Sequence, residues 1–137
     1  MTKSKKARGL RNNNPLNIEW SRANNWRGQT GSDGRFATFL TIAHGYRAAL
    51  IVLRNYQRRY GLRTIRQMIN RWCPPSERGN DTAAYIRTVS ELSGIDADRP
   101  VDLNRMSDVV KILDAMTYVE CGERGYEDDI IKAFAML

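Results

Sequence analysis

The sequence predicts a mainly α fold of the α+β kind, with about five helices behind a small N-terminal β-hairpin. Three observations carry this reading. Beyond residue 41, apolar side chains recur every three or four positions in successive segments. Those segments are closed by Gly61, Pro74-Pro75, Gly94 and Gly122, residue types that stop helices. Before residue 41 the helical period is absent, and short pieces such as NIEW and RFATF alternate weakly between turn formers.

The elements follow in chain order. Residues 1–8, MTKSKKAR, are expected to form a flexible basic tail. Residues 8–40 are rich in Asn, Gly, Arg and aromatics, and hold one hairpin or irregular sheet with turns at Asn24-Asn25, Gly31 and Asp33-Gly34. Thr41 caps the first helix, where Tyr46, Ala49, Leu50, Leu53 and Tyr56 recur at helical spacing until Gly61. A second starts near Thr64, with Ile65, Met68, Ile69 and Trp72 on one face, and ends before the proline pair. Asp81 or Thr82 caps a third, carrying Tyr85, Ile86, Val89 and Leu92. A fourth is expected from Asp102 to about Glu120, and a short fifth from Tyr126 or Glu127. There is no internal repeat and no linker, and 137 residues suit one domain with a real core.

Composition narrows the function. Hydrophobic residues make up 42% and charged residues 27%, ordinary values for a globular protein. Lys and Arg number 22 against 15 Asp and Glu, a formal charge of +7, so the expected partner is anionic: nucleic acid, a membrane face or envelope polymer. No apolar run approaches the roughly 18–20 residues needed to span a bilayer. No apolar stretch follows the basic start, so no secretory signal is read. Cys73 and Cys121 make no disulfide framework, and His44 as the one histidine argues against a Cys/His zinc site. No cofactor is expected.

The fourth helix carries the sharpest anomaly. Met106, Val109, Leu113 and Met116 are spaced by 3, 4 and 3, and a further step of 4 lands on Glu120. The apolar stripe therefore aims a carboxyl inward or at the edge of a cleft, in the last helical turn. Burial and the negative end of the helix dipole both disfavour a charged group there. A carboxyl kept protonated is what a general acid needs, for instance one that protonates the leaving oxygen of a glycosidic bond. A frayed helix end with Glu120 reaching water accounts for the same spacing. Periodicity alone does not choose.

A resemblance bears on that choice. RGLRNNNPLNIEW and NNWRGQTGSDGRFATFLTIAHGYRAALIVLRNY open the chain; TIRQMINRWCPPSE, NDTAAYI and a helix closing in YVECG follow. Together they resemble a family of small bacteriophage proteins of the lysozyme-like superfamily, virion-associated or endolysin-type cell-wall hydrolases. Nearly the whole chain is covered, and the RNNNP and RWCPP segments are the most specific parts. The resemblance implies a single lysozyme-like domain over residues 1–137. Relatives of that kind place a catalytic Glu at a helix end, followed by an Asn-Pro or Asn-Asn segment and a cleft-lining hairpin. Here the Asn-Pro segment and hairpin come first and the helix ending in Glu120 comes last, which suggests a circular permutation. It further implies bacterial peptidoglycan, anionic envelope polymers and other virion proteins as partners. Synthesis in the host cytoplasm and action on periplasmic peptidoglycan, virion-borne or at lysis, are expected with it.

On this reading Glu120 is the catalytic acid, and other residues compete for supporting roles. Glu19 in NIEW and Asp33 in GSDGR are the candidates for a second carboxylate, although turn formation explains Asp33 without chemistry. Asn13 and Asn14 are candidates to hold sugar acetamido or hydroxyl groups, and Gln29 and Thr30 to line the groove floor. Trp26, Tyr118 and Tyr126, with Trp20, offer flat faces for sugar rings or for a core. Glu77 reads as a loop residue and His44 as a helix-cap or packing residue.

Two mechanisms stay open. Glu120 protonates the bond between N-acetylmuramic acid and N-acetylglucosamine, then acts as base on water (a muramidase) or on a hydroxyl of the muramyl sugar itself (a lytic transglycosylase). Two other classes remain: an inactive virion structural protein, and a nucleic-acid binder using Arg54, Arg58, Arg59, Arg63, Arg66 and Arg71. The second is disfavoured because no helix-turn-helix, zinc-finger or RNP pattern accompanies the arginines.

Overall fold

In the computed structural model, which describes residues 6–77 and 79–137, local capping chemistry sets most helix ends. Helix α1 spans Arg8–Arg11, and strands β1 (Gln29–Ser32) and β2 (Ala37–Phe39) form an antiparallel pair. Helices α2 (Ile42–Tyr60), α3 (Ile65–Trp72), α4 (Thr82–Ser93), α5 (Met106–Cys121) and α6 (Glu127–Ala135) complete the chain. The architecture is thus mainly α with a small two-stranded sheet near the N-terminus.

The Thr41 hydroxyl accepts from the His44 N–H and opens α2, while Gly61 closes it in the left-handed conformation at φ 65°. Thr64 and Gln67 form a reciprocal capping box on α3. The Asp81 carboxylate accepts from the Ala84 N–H to open α4, and Gly94 ends it. Helix α5 begins later than Asp102 because that side chain accepts from the Asn104 N–H at 2.9 Å, favouring a turn over a first helical turn. Met106, expected to start the buried stripe, is therefore 43% exposed, whereas Val109, Leu113 and Met116 are wholly buried.

One hydrophobic cluster joins all the long helices to the hairpin. Helix α2 packs on α6, α5 packs between α4 and α6, and α3 lies against α4. At its centre the buried Tyr46 hydroxyl and Thr117 Oγ1 sit 2.7 Å apart and tie α2 to α5. Burial pushes the Tyr46 phenol upward, so it stays protonated and keeps the bond.

The N-terminal third departs from expectation in three places. Residues 1–5 of the expected basic tail lie outside the described residues, and Arg8 starts α1. NIEW is not a strand of the hairpin; it contributes one bridge, Glu19 to Phe36. The paired strands are QTGS and ATF, with an irregularity between Gln29 and Gly31. Among the described residues, no helix is long and apolar enough to cross a membrane.

Candidate active site

Gly9 allows the N-terminal segment to dock on the end of α5. A Cβ there would lie 2.7 Å from the Asn14 carbonyl oxygen and 2.9 Å from Cys121 Sγ. The chain then turns through Asn13 and Asn17, both at positive φ, a conformation Asn adopts more readily than most residues. Wholly buried Asn14 locks this turn: its Nδ2 donates to the Ile18 and Ala37 carbonyls and its Oδ1 accepts from the Ile18 N–H. The result places Asn17 against the last turn of α5.

There the half-buried Glu120 accepts hydrogen bonds from three separate elements. Asn17 Nδ2 donates to Oε1 at 2.9 Å. The Tyr85 hydroxyl of α4 donates to Oε2 at 2.8 Å, and Trp72 Nε1 of α3 reaches the same oxygen at a longer 3.4 Å. Charge-assisted bonds of this kind contribute on the order of 1.5–3 kcal/mol each, the long indole contact less. Burial, and then the neighbouring Glu120, hold the Tyr85 phenol well above its ordinary range, so Tyr85 keeps its proton and remains the donor. The carboxyl is fixed in position by residues that are themselves packed.

Glu120 opens onto a groove of about 530 Å³. One wall is Leu16 to Glu19 with Arg35 and Phe36 of the hairpin turn; the other is Trp72, Pro74, Glu77 and Tyr85. The Arg8 and Arg35 guanidiniums each lie over the Phe36 ring, 4.7 Å from its centre. The groove is thus shared between the helix end and the N-terminal segment with its hairpin.

The proposed site residues divide sharply. Glu19 lines the groove with Glu120, its side chain 66% exposed and 3.3 Å from Arg35, a surface pair that constrains it little. Asp33 does not line it. Its carboxylate accepts from Arg8 at 2.6 Å, from Asn12 at 2.8 Å and from the Arg35 and Phe36 N–H groups, which hold it well below the usual carboxylate range as a turn anchor. Asn13 donates to the Phe39 and Leu40 carbonyls and Asn14 is sealed inside, and neither lines the groove. Gln29 accepts from the Trp26 N–H, and the Thr30 hydroxyl meets that of Thr38 across the strands. Trp26 packs against the core, as does Tyr126 where it begins α6. Tyr118, 46% exposed, lies in an adjoining depression beside Asp81 and Tyr85.

Asn17, Trp72 and Tyr85, which touch Glu120, were not legible as site residues. Trp72 and Tyr85 sit in apolar stripes, and only their polar tips hint at a buried acceptor. Glu77, read as a loop residue, also lines the groove. Among the described residues, no group of three or more His, Cys, Asp or Glu is placed to hold a metal ion.

Over 130 residues, 92% of this chain and 78% of the relative, 39% of positions are identical to Protein P5 of Pseudoalteromonas phage PM2. This chain belongs to the Protein P5 family. No family model matches the sequence. The kinship places the chain in a bacteriophage context and spans both halves of the groove.

Cys121 neighbours the carboxyl, and its surroundings disfavour the reactive thiolate. Burial, with the adjacent Glu120 charge second, pushes its thiol up to about 11, and Sγ donates to the Pro15 carbonyl. His44 is engaged by Thr41, its Nδ1 2.7 Å from the hydroxyl oxygen. Against an ordinary thiol value of about 8.5, the thiolate fraction of Cys121 at pH 8 is lower by on the order of 100-fold. Alkylation of Cys121 by iodoacetamide at that pH is expected to be slower by about that factor in the folded protein than in the unfolded chain. Peptide mass spectrometry reads both rates, and equal rates would contradict the burial.

Proposed function

We propose that this Protein P5 relative cleaves the glycosidic bond between N-acetylmuramic acid and N-acetylglucosamine in bacterial peptidoglycan, with Glu120 as the acid. The observation that supports this best is the convergence of Asn17, Tyr85 and Trp72 on one carboxyl at the floor of an open groove. A carboxyl positioned by three donors and open to solvent space lies within reach of a ligand in the groove, as proton transfer requires.

The hydrogen bonds also favour one oxygen. Each carboxylate oxygen has about two lone-pair sites. Oε2 receives both Tyr85 and Trp72, whereas Oε1 receives Asn17 alone. Oε1 is therefore the oxygen with room for the proton that passes to the leaving sugar. As that bond breaks, positive charge develops at the muramyl anomeric carbon, and the Glu120 carboxylate left behind lies beside it. The same carboxylate then takes a proton from water or from a muramyl hydroxyl, completing hydrolysis or transglycosylation. Glu19 and Glu77 are the groove carboxylates available as a second group. Asp33 is committed to its turn.

The basic helices fit substrate approach better than nucleic-acid readout. Arg66 pairs with Asp98 and Arg54 donates to Asn104, and no base-reading motif accompanies the remaining arginines of α2 and α3. The proposal is tested by loss of turbidity of purified peptidoglycan beside a DNA-binding titration in the same buffers. Clearing of peptidoglycan with no salt-sensitive DNA binding supports it; DNA binding without clearing overturns it. Lysis is further expected to slow as ionic strength rises, because salt screens attraction between a +7 chain and anionic wall polymer. A rate that stays flat from about 10 mM to 1 M salt, across which the screening length falls about tenfold, would remove charge from substrate capture.

A further inference from the structure

The groove over Glu120 does not end at its own walls. Tyr56, Arg71 and Pro74 line it and also line a second depression of about 670 Å³, whose far side is Tyr60 and Asn70. Separately, Cys73, Asn80, Tyr85 and Val119 are shared with the depression that holds Tyr118. The groove over Glu120 thus shares walls with both depressions, which share none with each other, and the three adjoin as a trough with Glu120 in the middle compartment. Three adjoining compartments suit a polymer rather than a small molecule.

Its two ends differ in chemistry. The Tyr118 end carries the Asp81 carboxylate. At the other end, the Arg71 guanidinium lies 3.8 Å from the centre of the Tyr60 ring and 5.3 Å from that of Tyr56. Among the described residues, no carboxylate lies within ion-pair distance of Arg71. Stacking occupies the faces of the guanidinium and leaves its in-plane N–H groups to donate, the geometry that matches a carboxylate with two parallel bonds. Tyr60, 52% exposed, adds a flat surface on which a sugar ring can rest.

We propose that Arg71, Tyr56 and Tyr60 form a remote subsite for a carboxylate-bearing sugar unit of the glycan chain whose scissile bond lies over Glu120. This rests on the glycan-cleaving reading above. Among the described residues, the unpaired cation lining the trough lies at its Tyr60 end, and the subsite favours one direction of the chain along the trough. It also selects against neutral glycans of the same length.

The test uses the full chain carrying Glu120→Gln, so that ligands are bound without turnover, and calorimetric titration with two probes. One is a peptide-free six-sugar fragment of alternating N-acetylglucosamine and N-acetylmuramic acid, with its lactyl carboxylates free. The other is the neutral six-sugar chitin oligomer. The acidic probe is expected to bind more tightly, and adding Arg71→Gln should weaken it by on the order of 10-fold or more, as for loss of a charge-assisted pair. The chitin oligomer should change by less than about twofold. Arg71→Lys, which keeps the charge but loses the planar fork, should fall between. If Arg71→Gln leaves the acidic probe unaffected while both oligomers bind, the subsite is wrong and the glycan reading stands. If a folded Glu120→Gln protein binds neither oligomer, the glycan reading fails and takes the subsite with it.

Discussion

Replacing Glu120 with glutamine is expected to leave a folded protein whose rate of peptidoglycan lysis is lower by on the order of 10²–10⁴-fold, the usual contribution of general acid catalysis. The substitution keeps shape and most hydrogen bonding. The new amide oxygen can accept from Tyr85 and Trp72, and Asn17 can rotate its own amide so that Oδ1, which has no partner among the described residues, accepts from the new NH₂ group. What is lost is the transferable proton. Glu19→Gln should cost much less if Glu120 works alone, and a comparable factor if Glu19 is the second carboxylate. Turbidity loss on purified peptidoglycan, with circular dichroism as the folding control, separates these outcomes. A Glu120→Gln protein that clears peptidoglycan at the original rate would return Glu120 to a structural role.

Gly45→Ala is expected to give the largest loss of stability for the smallest change. A Cβ at this position in α2 would lie 2.1 Å from the Asn13 carbonyl oxygen and 3.1 Å from Asn14 Cα. Both neighbours are backbone and cannot rotate aside. Overpacking of this kind costs roughly 1–3 kcal/mol and occasionally more, a fall in melting temperature of roughly 2–12 °C for a chain of this size. Any relief must push the Asn13–Asn17 turn outward, and that turn carries Asn17 to Glu120. Activity should therefore fall along with stability. An unchanged melting temperature in differential scanning calorimetry would mean that α2 and the turn are not in close contact.

The helical part of this fold was legible because its ends are written locally. Thr41, Thr64, Asp81, Gly61 and Gly94 act on neighbours within a few residues, and sequence shows neighbours. Glu120 was legible for a related reason: its place follows from the period of one helix. The partners that fix it come from three other elements, and no local period announces that Asn17, Trp72 and Tyr85 will meet. The irregular N-terminal third misled in a specific way. Its backbone carbonyls lack regular ladder partners and still need donors. Asn13 and Asn14, which read as sugar-binding amides, supply them to Phe39, Leu40, Ile18 and Ala37. Asp33 and Glu19 both stood as candidate acids of one irregular stretch, with turn formation already explaining Asp33. The Arg35 and Phe36 N–H groups hold Asp33 in its turn locally, and the approach of Arg8 and Asn12, which no local pattern announces, commits it further while Glu19 stays at the groove.

The central claim, that Glu120 delivers a proton to a glycosidic bond in peptidoglycan, is tested most directly by mass analysis of what the protein releases from purified peptidoglycan. The account predicts disaccharide-containing fragments ending in N-acetylmuramic acid. These carry either a new reducing end or an internal anhydro bond that makes them one water lighter, and both kinds are absent when Glu120→Gln is used. Release of peptides with intact glycan strands, or of no fragments at all from a folded protein, would contradict it.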